Sequence, residues 1–356
     1  DLASNAGTPV SSTTNASSVS FDKTAPTLSS VSISSDNTNP AKAKPGDTIT
    51  VSFSSSENIQ TPTVTIAGHS ASVSGANSSW SATYQMQSGD TEGTVSFLIS
   101  FSDLASNAGT PVSSTTNSSS VSFDKTAPTV SSVSSTAPDG TYSIGQTVDV
   151  TVNFSETVLV TGSPRIQLET GTTDQYATYT NGNGTSALHF TYTIQMGDGS
   201  TDLDYKGTNS LELNTGTIKD SASNDATLTL AIPGAAGSLG ANKNIVVDTS
   251  FPTVSSVSST TTNGSYSSGT IDVTVNFSET ILVTGSPRIQ LETGTTDQYA
   301  TYTNGNGTSA LHFTYTIQSG DTTSDLDYKA TDSLGLNGGT IKDSDLNNAV
   351  LALPSP

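Results

Sequence analysis

The chain copies itself. Residues 153–195 return at 276–318 with a single change, Val158 to Ile281. Residues 1–27 return at 103–129, again with a single change, Ala16 to Ser118. Repetition on this scale constrains the architecture more than any local propensity, because it sets the size of the folding unit. The period is 102 residues from Asp22 to Asp124 and 124 residues from Asp124 to Asp248. Solenoid units run about 20–50 residues, whereas units of this size can each bury a core of their own. The sequence therefore reads as a string of similar domains. The near-identity includes positions that face solvent, so selection acts on length and surface. An active site needs one constellation, not a ladder of them, and no enzyme is expected.

The local pattern is β throughout. In Thr147-Val-Asp-Val-Thr-Val-Asn-Phe154, Val148, Val150, Val152 and Phe154 share one face and Asp149, Thr151 and Asn153 the other. That two-residue period belongs to a strand buried on one side. The same alternation runs through Ile49, Val51 and Phe53; Trp80, Ala82 and Tyr84; Val95, Phe97, Ile99 and Phe101; and Leu188, Phe190, Tyr192 and Ile194. Pro45-Gly-Asp47, Ser88-Gly-Asp90 and Asn181-Gly-Asn-Gly184 mark turns between the runs. Short alternating strands with frequent turns predict two-sheet sandwiches. No helix is expected.

Boundaries fall at Phe21-Asp-Lys-Thr-Ala-Pro26, Phe123-Asp-Lys-Thr-Ala-Pro128 and Val247-Asp-Thr-Ser-Phe-Pro252. Each is a strand ending in Asp, then three residues, then Pro, with no Gly and no long polar linker. The residue before Pro is held extended, so the junctions are short. The division is 1–24 as the last hairpin of a preceding repeat, 25–126 as a short repeat, and 127–250 as a long repeat. Residues 251–356 form a second long repeat that lacks its last strand. The fold class is all-β: tandem immunoglobulin-like sandwiches arranged end to end.

Composition narrows the function. There is no Cys, so neither disulfides nor thiolate metal sites are available. Net charge is −20 with pI near 4.1, which argues against a nucleic-acid partner, whose phosphates need Lys and Arg. No apolar run reaches the roughly 18–20 residues of a membrane-spanning helix.

The Thr-Ala-Pro-Thr junction, Phe154-Ser-Glu156 with Phe277-Ser-Glu279, and Asp103-Leu-Ala-Ser-Asn107 together resemble the bacterial immunoglobulin-like repeats of giant secreted adhesins. The resemblance spans essentially the whole chain. It departs at Ser54-Ser-Ser-Glu57, where Phe-Ser-Glu is the pattern, and at Thr249-Ser-Phe251, where Lys-Thr-Ala is. It implies an extracellular, cell-surface stalk, Ca²⁺ bridging between domains, and adhesion lodged in a terminal module. The partners expected are neighbouring repeats of the same chain, and whether copies also bundle laterally in a fibre is left open by the sequence.

Immunoglobulin-like topology brings distant acidic residues to one pole. Glu57 follows one strand and Asp103 with Asn107 another, and both meet Asp22 of the incoming junction. The candidate sets are Asp22, Glu57, Asp103 and Asn107; Asp124, Glu156, Asp220 and Asn224; and Asp248, Glu279, Asp343 and Asn347. Crowded carboxylates repel unless a cation neutralises them, and an all-oxygen set suits Ca²⁺. Asp90 or Asp198, in the turn at the opposite pole, could complete a bridging site. The plain alternative is that Asp and Asn are turn residues bonded to their own backbone.

Other residues offer less. His189 and His312 point outward and His69 stands alone. Lys219 and Lys342 also point outward, which disfavours an isopeptide bond. Tyr176, Tyr179 and Tyr205 suggest a sugar-binding face or, more simply, strand packing. Asp202 and Asp204 have no pocket signature beside them. Two functions remain: a calcium-stiffened spacer of an adhesin or surface fibre, or repeats that themselves bind carbohydrate or a neighbouring cell. A non-catalytic appendage of a secreted polysaccharide enzyme is a third.

Overall fold

The computed structural model describes residues 21–356, so the hairpin expected within 1–24 lies almost wholly outside the described residues. The chain divides into two compact units. Of the described residues, one holds 21–128, Thr157–Leu159 and Ile218–Ala226. The other holds Thr129–Glu156, Val160–Thr217 and Thr227–Pro356.

In the first unit, Leu28–Ser35, Thr48–Ser55, Ser79–Gln85 and Ser72–Ala76 pair in that order as an antiparallel sheet. Ile49, Val51 and Phe53 alternate inward, and the register sets Val51 opposite Ala82 and Phe53 opposite Trp80. A second antiparallel sheet orders His69–Ser70, Thr63–Ile66 and Phe97–Ser100. A third places Ser122–Phe123 between Lys42–Ala43, to which it runs parallel, and Gly93–Thr94. The inward residues of all three join one core, which includes Val31, Ile66, Ile99 and Phe123. Each such side chain contributes about 1.5–3 kcal/mol through burial.

The second unit contains one pattern twice. In the first copy the sheet order is Val130–Ser134, Thr147–Thr161, Thr185–Thr193, Gln175–Asn181, Arg165–Leu168, Leu211–Glu212. In the second copy it is Val254–Ser258, Thr270–Thr284, Thr308–Thr316, Gln298–Asn304, Arg288–Leu291, Leu334–Gly335, with Thr340–Lys342 pairing against Thr270–Thr284. Val273, Val275 and Phe277 alternate inward onto Leu311, Phe313 and Ile289. The hairpin turns need glycine. Gly182 has φ +103°, and a Cβ there would sit 2.1 Å from the Ala187 carbonyl oxygen. Both copies are β-sandwiches, and the fold is all-β in tandem.

Two features were not legible as periodic signals. Leu239–Asn242 form a single helical turn, against the expectation of none. The Ser238 hydroxyl accepts the Ala241 N–H at 3.2 Å and Leu239 is fully buried. Beside it, Ile245–Asp248 lie between Gly140–Tyr142 and Gly199–Ser200 in a small sheet that the second copy does not form among the described residues.

Candidate metal centre

The Asp-x-Ala-x-Asn segment folds on itself. The Asp103 N–H donates to the Asn107 carbonyl at 3.1 Å, and the Ser106 N–H returns to the Asp103 carbonyl at 3.2 Å. Closing so tight a loop puts Ser106 at φ +69°. The Asp103 side chain is 1% exposed. Its Oδ1 accepts the Asn107 backbone N–H and its Oδ2 the Asn107 Nδ2–H, both at 2.7 Å. Burial alone would raise the Asp103 pKa, but these hydrogen bonds outweigh it and hold the carboxyl below its ordinary value.

Asp220 with Asn224, and Asp343 with Asn347, repeat the loop with Nδ2 to Oδ2 distances of 2.7 and 2.8 Å. The turn alternative therefore accounts for the shape of each loop. It also fixes the asparagines: with Nδ2 on a carboxylate, Asn107, Asn224 and Asn347 position an aspartate. Asn107 and Asn224 also donate to the junction carbonyls of Asp22 and Asp124, at 3.3 and 3.1 Å.

Each junction aspartate holds the backbone two residues on: Asp22 Oδ1 accepts from Thr24, Asp124 from Thr126 and Asp248 from Ser250, at 2.8–3.0 Å. That leaves one oxygen of each for another role. Turn chemistry does not explain what meets them. Carboxylate oxygens of Asp22, Glu57 and Asp103, from three separate segments, lie within 4.8 Å of one another. Partial desolvation, then repulsion from Asp22 and Asp103, raises the Glu57 pKa. Each carboxylate oxygen retains a lone pair beyond its hydrogen bond, so the donors fit a hard cation that takes six to eight oxygens. In the other sets, Asp124, Asp220 and Asn224 belong to the first unit. Glu156 is half-buried within the second unit's part of Thr147–Thr161.

In the second unit, desolvation and then Asp343, Asp248 and Asp345 raise the Glu279 pKa. Asp345 was missed by the motif. In Asp343-Ser-Asp-Leu-Asn347 it takes the place that Ala105 and Ala222 hold in the other loops. Desolvation, then Asp343 and Asp248, raises its own pKa.

The support around the loops differs as well. In the first unit, Lys44 Nζ donates to the Ser223 carbonyl at 2.8 Å and Asn37 Nδ2 to the Ala222 carbonyl at 2.9 Å. In the second unit the Ser143 hydroxyl donates to the Asp345 carbonyl. Comparing Lys44-Pro-Gly-Asp47 with Ser143-Ile-Gly-Gln146 would have revealed the exchange. One loop has gained a carboxylate and its support has lost a cation.

Asp90 and Asp198 do not reach toward a bridging site. Both are buried and staple their own turns. Asp90 accepts from the Gln87 N–H at 2.8 Å and from Tyr84 at 3.3 Å. Asp198 accepts from Tyr192 at 2.6 Å and from the Gln195 N–H at 2.7 Å. The junction segments bond to these turns through their backbone instead: Lys125 Nζ to the Asp90 carbonyl at 2.8 Å, and the Thr249 hydroxyl to the Asp198 carbonyl at 2.7 Å.

His69 does not stand alone, since it stacks on Tyr84 with ring centroids 5.1 Å apart and meets Asp90 at 3.0 Å. His189 and His312 sit on the outer face, half-buried, and pair with Asp149 and Asp272 at 3.1 and 3.0 Å. Lys219 pairs with Asp225 at 2.6 Å. Tyr205 is buried with its hydroxyl on the Ala231 carbonyl, Tyr179 packs edge-on to Phe190, and Arg165 covers Tyr176. Asp204 is buried and accepts the Gly234 N–H at 2.8 Å; burial and then Asp204 raise the pKa of Asp202.

No family model and no curated protein matches the chain. Among solved structures it is similar to fibronectin(III)-like modules of Clostridium thermocellum CbhA, at 10% identity over 61% of this chain and 93% of that one, with TM-score 0.24. It is also similar to the full extracellular region of plexin A4, at 9% identity over 87% of this chain and 21% of that one, with TM-score 0.20. Both likenesses are faint, and the fold rests on the strand pairing above. That pairing defines a class: an acidic, cysteine-free tandem of β-sandwiches with self-closing Asp-to-Asn loops.

Proposed function

We propose that this chain is a non-catalytic structural segment of an extracellular bacterial fibre or adhesin stalk, and that Ca²⁺ stiffens its junctions. The observation that carries the reading is the meeting of Asp22, Glu57 and Asp103 within 4.8 Å, with the Glu57 carboxyl pushed above its ordinary value. Repulsion of that kind costs stability unless a cation offsets it. Asp22 belongs to the junction, Glu57 and Asp103 to the sandwich, so one ion would tie the incoming segment to the loops. The asparagines orient the aspartates, while backbone carbonyls and water would complete the shell. The adhesin setting and the extracellular location rest on the sequence resemblance, and the absence of Cys is compatible with both.

Calorimetric titration of the metal-free chain with Ca²⁺, with Mg²⁺ as control, tests the site. Saturable Ca²⁺ binding that weakens at least roughly tenfold in Glu57→Gln, with a higher melting temperature on binding, is expected. If Ca²⁺ neither binds nor changes the melting temperature, the acidic loops are turns only. A glycan screen addresses the other reading: reproducible binding would move the function from the junctions to the faces of the repeats.

A further inference from the structure

In the first copy of the second unit, residues 234–248 close one side of the sandwich. Leu239 and Ile245 are fully buried and Val247 nearly so. The Val133 N–H donates to the Gly237 carbonyl at 2.8 Å, Gly140 to Asn244 at 3.1 Å, and Leu203 to Ile245 at 2.7 Å. Asn242 Nδ2 donates to the Val133 carbonyl at 2.7 Å. The second copy carries the receiving residues, with Val257 for Val133, Ile271 for Val148, Tyr315 for Tyr192, Leu326 for Leu203, and Asp327 for Asp204. No described segment lies on them. They line an open groove of about 830 Å³. Leu326 and Ile271 are only half-buried, and Asp327 is exposed where Asp204 is buried. The counterparts of Gly140–Tyr142 and Gly199–Ser200 are not strands there, as expected if the closing segment is what pairs them.

We propose that this groove is a docking site for a peptide strand of the long-repeat closing type: β-branched side chains at two positions flanking one outward residue, then Asp, as in Ile245-Val-Val-Asp248. The same receiving surface holds that segment in the first copy. Side-chain volume argues against the short-repeat type, Val121-Ser-Phe-Asp124. In the first unit, Phe123 lies opposite Ala43; in the first copy, Val247 lies opposite Tyr142. Large faces small in both pairs. Tyr266 stands where Tyr142 does, and its hydroxyl makes the same bond four residues back, so the groove calls for Val. Charge agrees: Asp272, Asp321, Asp325 and Asp327 line the groove, while the closing segment carries Lys243 and only one acid, Asp248.

The test is a fluorescently labelled peptide of residues 237–249, titrated into the whole 356-residue chain, beside the same peptide with Ile245→Asp and Val247→Asp. Saturable binding is expected, at least roughly tenfold weaker for the Asp peptide. Amide exchange should slow at 257–271 and 315–328, and Tyr266→Ala in the chain should weaken binding. The changes fall in the peptide and at one exposed tyrosine, so misfolding does not confound them. Absence of saturation, equal binding of both peptides, or protection confined to the first copy overturns the proposal. So does self-association of the chain that Phe21→Asp abolishes, since a second copy's short-type strand would then be the occupant.

Discussion

Residues 129–248 and 253–353 run much the same sequence through the same strand order, yet they bury it differently. In the first copy Val133, Val148, Leu203 and Tyr205 are sealed. In the second, Val257, Ile271 and Leu326 are half-buried and Tyr328 is slightly open. The sequence of those four pairs scarcely differs, so burial is set by residues 234–248, far along the chain. A sandwich core is thus a property of the complete set of strands, and a strand that alternates well can still be left half wet.

The sharpest way to break this comparison is to damage the closing segment. Ile245→Ala removes a fully buried side chain and leaves a cavity, which should cost about 2–4 kcal/mol. Amide exchange should quicken at Gly140–Tyr142 and Leu203, making the first copy behave like the second, while exchange at residues 308–316 stays unchanged. If exchange in both copies rises together, they do not fold separately and the contrast in burial has another cause.

Matched substitutions sharpen it. Leu203→Ala should cost about 3 kcal/mol, and Leu326→Ala about half of that or less, because a half-buried side chain has less transfer energy to lose and leaves no closed cavity. Chemical denaturation followed by exchange at each copy distinguishes them. Equal costs would mean that the groove is closed in solution.

A third pair concerns the turn staple. The buried Tyr192 hydroxyl donates to Asp198 at 2.6 Å, and burial with that carboxylate drives its pKa far upward. Tyr315 makes the same bond to Asp321 in a wetter place, with its pKa pushed up to about 12. Tyr192→Phe removes one of two donors to a buried carboxylate oxygen, which keeps only the Gln195 N–H, and should cost about 1–2 kcal/mol; Tyr315→Phe should cost less, since water reaches Asp321. The hydrogen bond from Tyr315 holds the Asp321 pKa down. Its contribution is therefore present above the unfolded value and lost as pH falls through the lowered one. Thermal melts of Tyr315→Phe and parent should converge in acid.

Much of the fold was legible because two-residue alternation is dense: Val148, Val150, Val152 and Phe154 allow only one buried face. The four-residue helix at 239–242 was not, since one turn has no period to detect. At the candidate centre, the convergence of Asp22, Glu57 and Asp103 could be read from topology because three strand ends share a pole. Asp345 was hidden because it stands where the motif has Ala, and only the Asp and Asn at the motif's ends were followed. Asp90 and Asp198 looked available because a polar residue in a turn carries no mark of direction; a tyrosine six residues earlier in the chain decides it by offering a donor. The pairing of His312 with Asp272 needs the register that sets Thr274 opposite His312, and no single strand states its register.

The smallest expected effect belongs to the acidic sets, and its sign depends on metal. Glu57 and Glu279 both have raised pKa values, but Glu279 faces three carboxylates where Glu57 faces two. For a carboxyl whose folded pKa lies above the unfolded value near 4.5, the associated stability is complete below that value. It is lost as pH rises through the raised pKa. Without metal, Glu279→Gln should therefore melt slightly higher than the parent at pH 7 and equal to it near pH 4. The gain is well under about 1 kcal/mol, since the group is partly solvated. Glu57→Gln should show the same trend more weakly. With Ca²⁺ present, both signs should invert at neutral pH, because the same oxygens then serve as ligands. A Glu279→Gln chain that melts below the parent at pH 7 in chelator would show that repulsion does not govern this pole, and the case for a cation there would lose its physical basis.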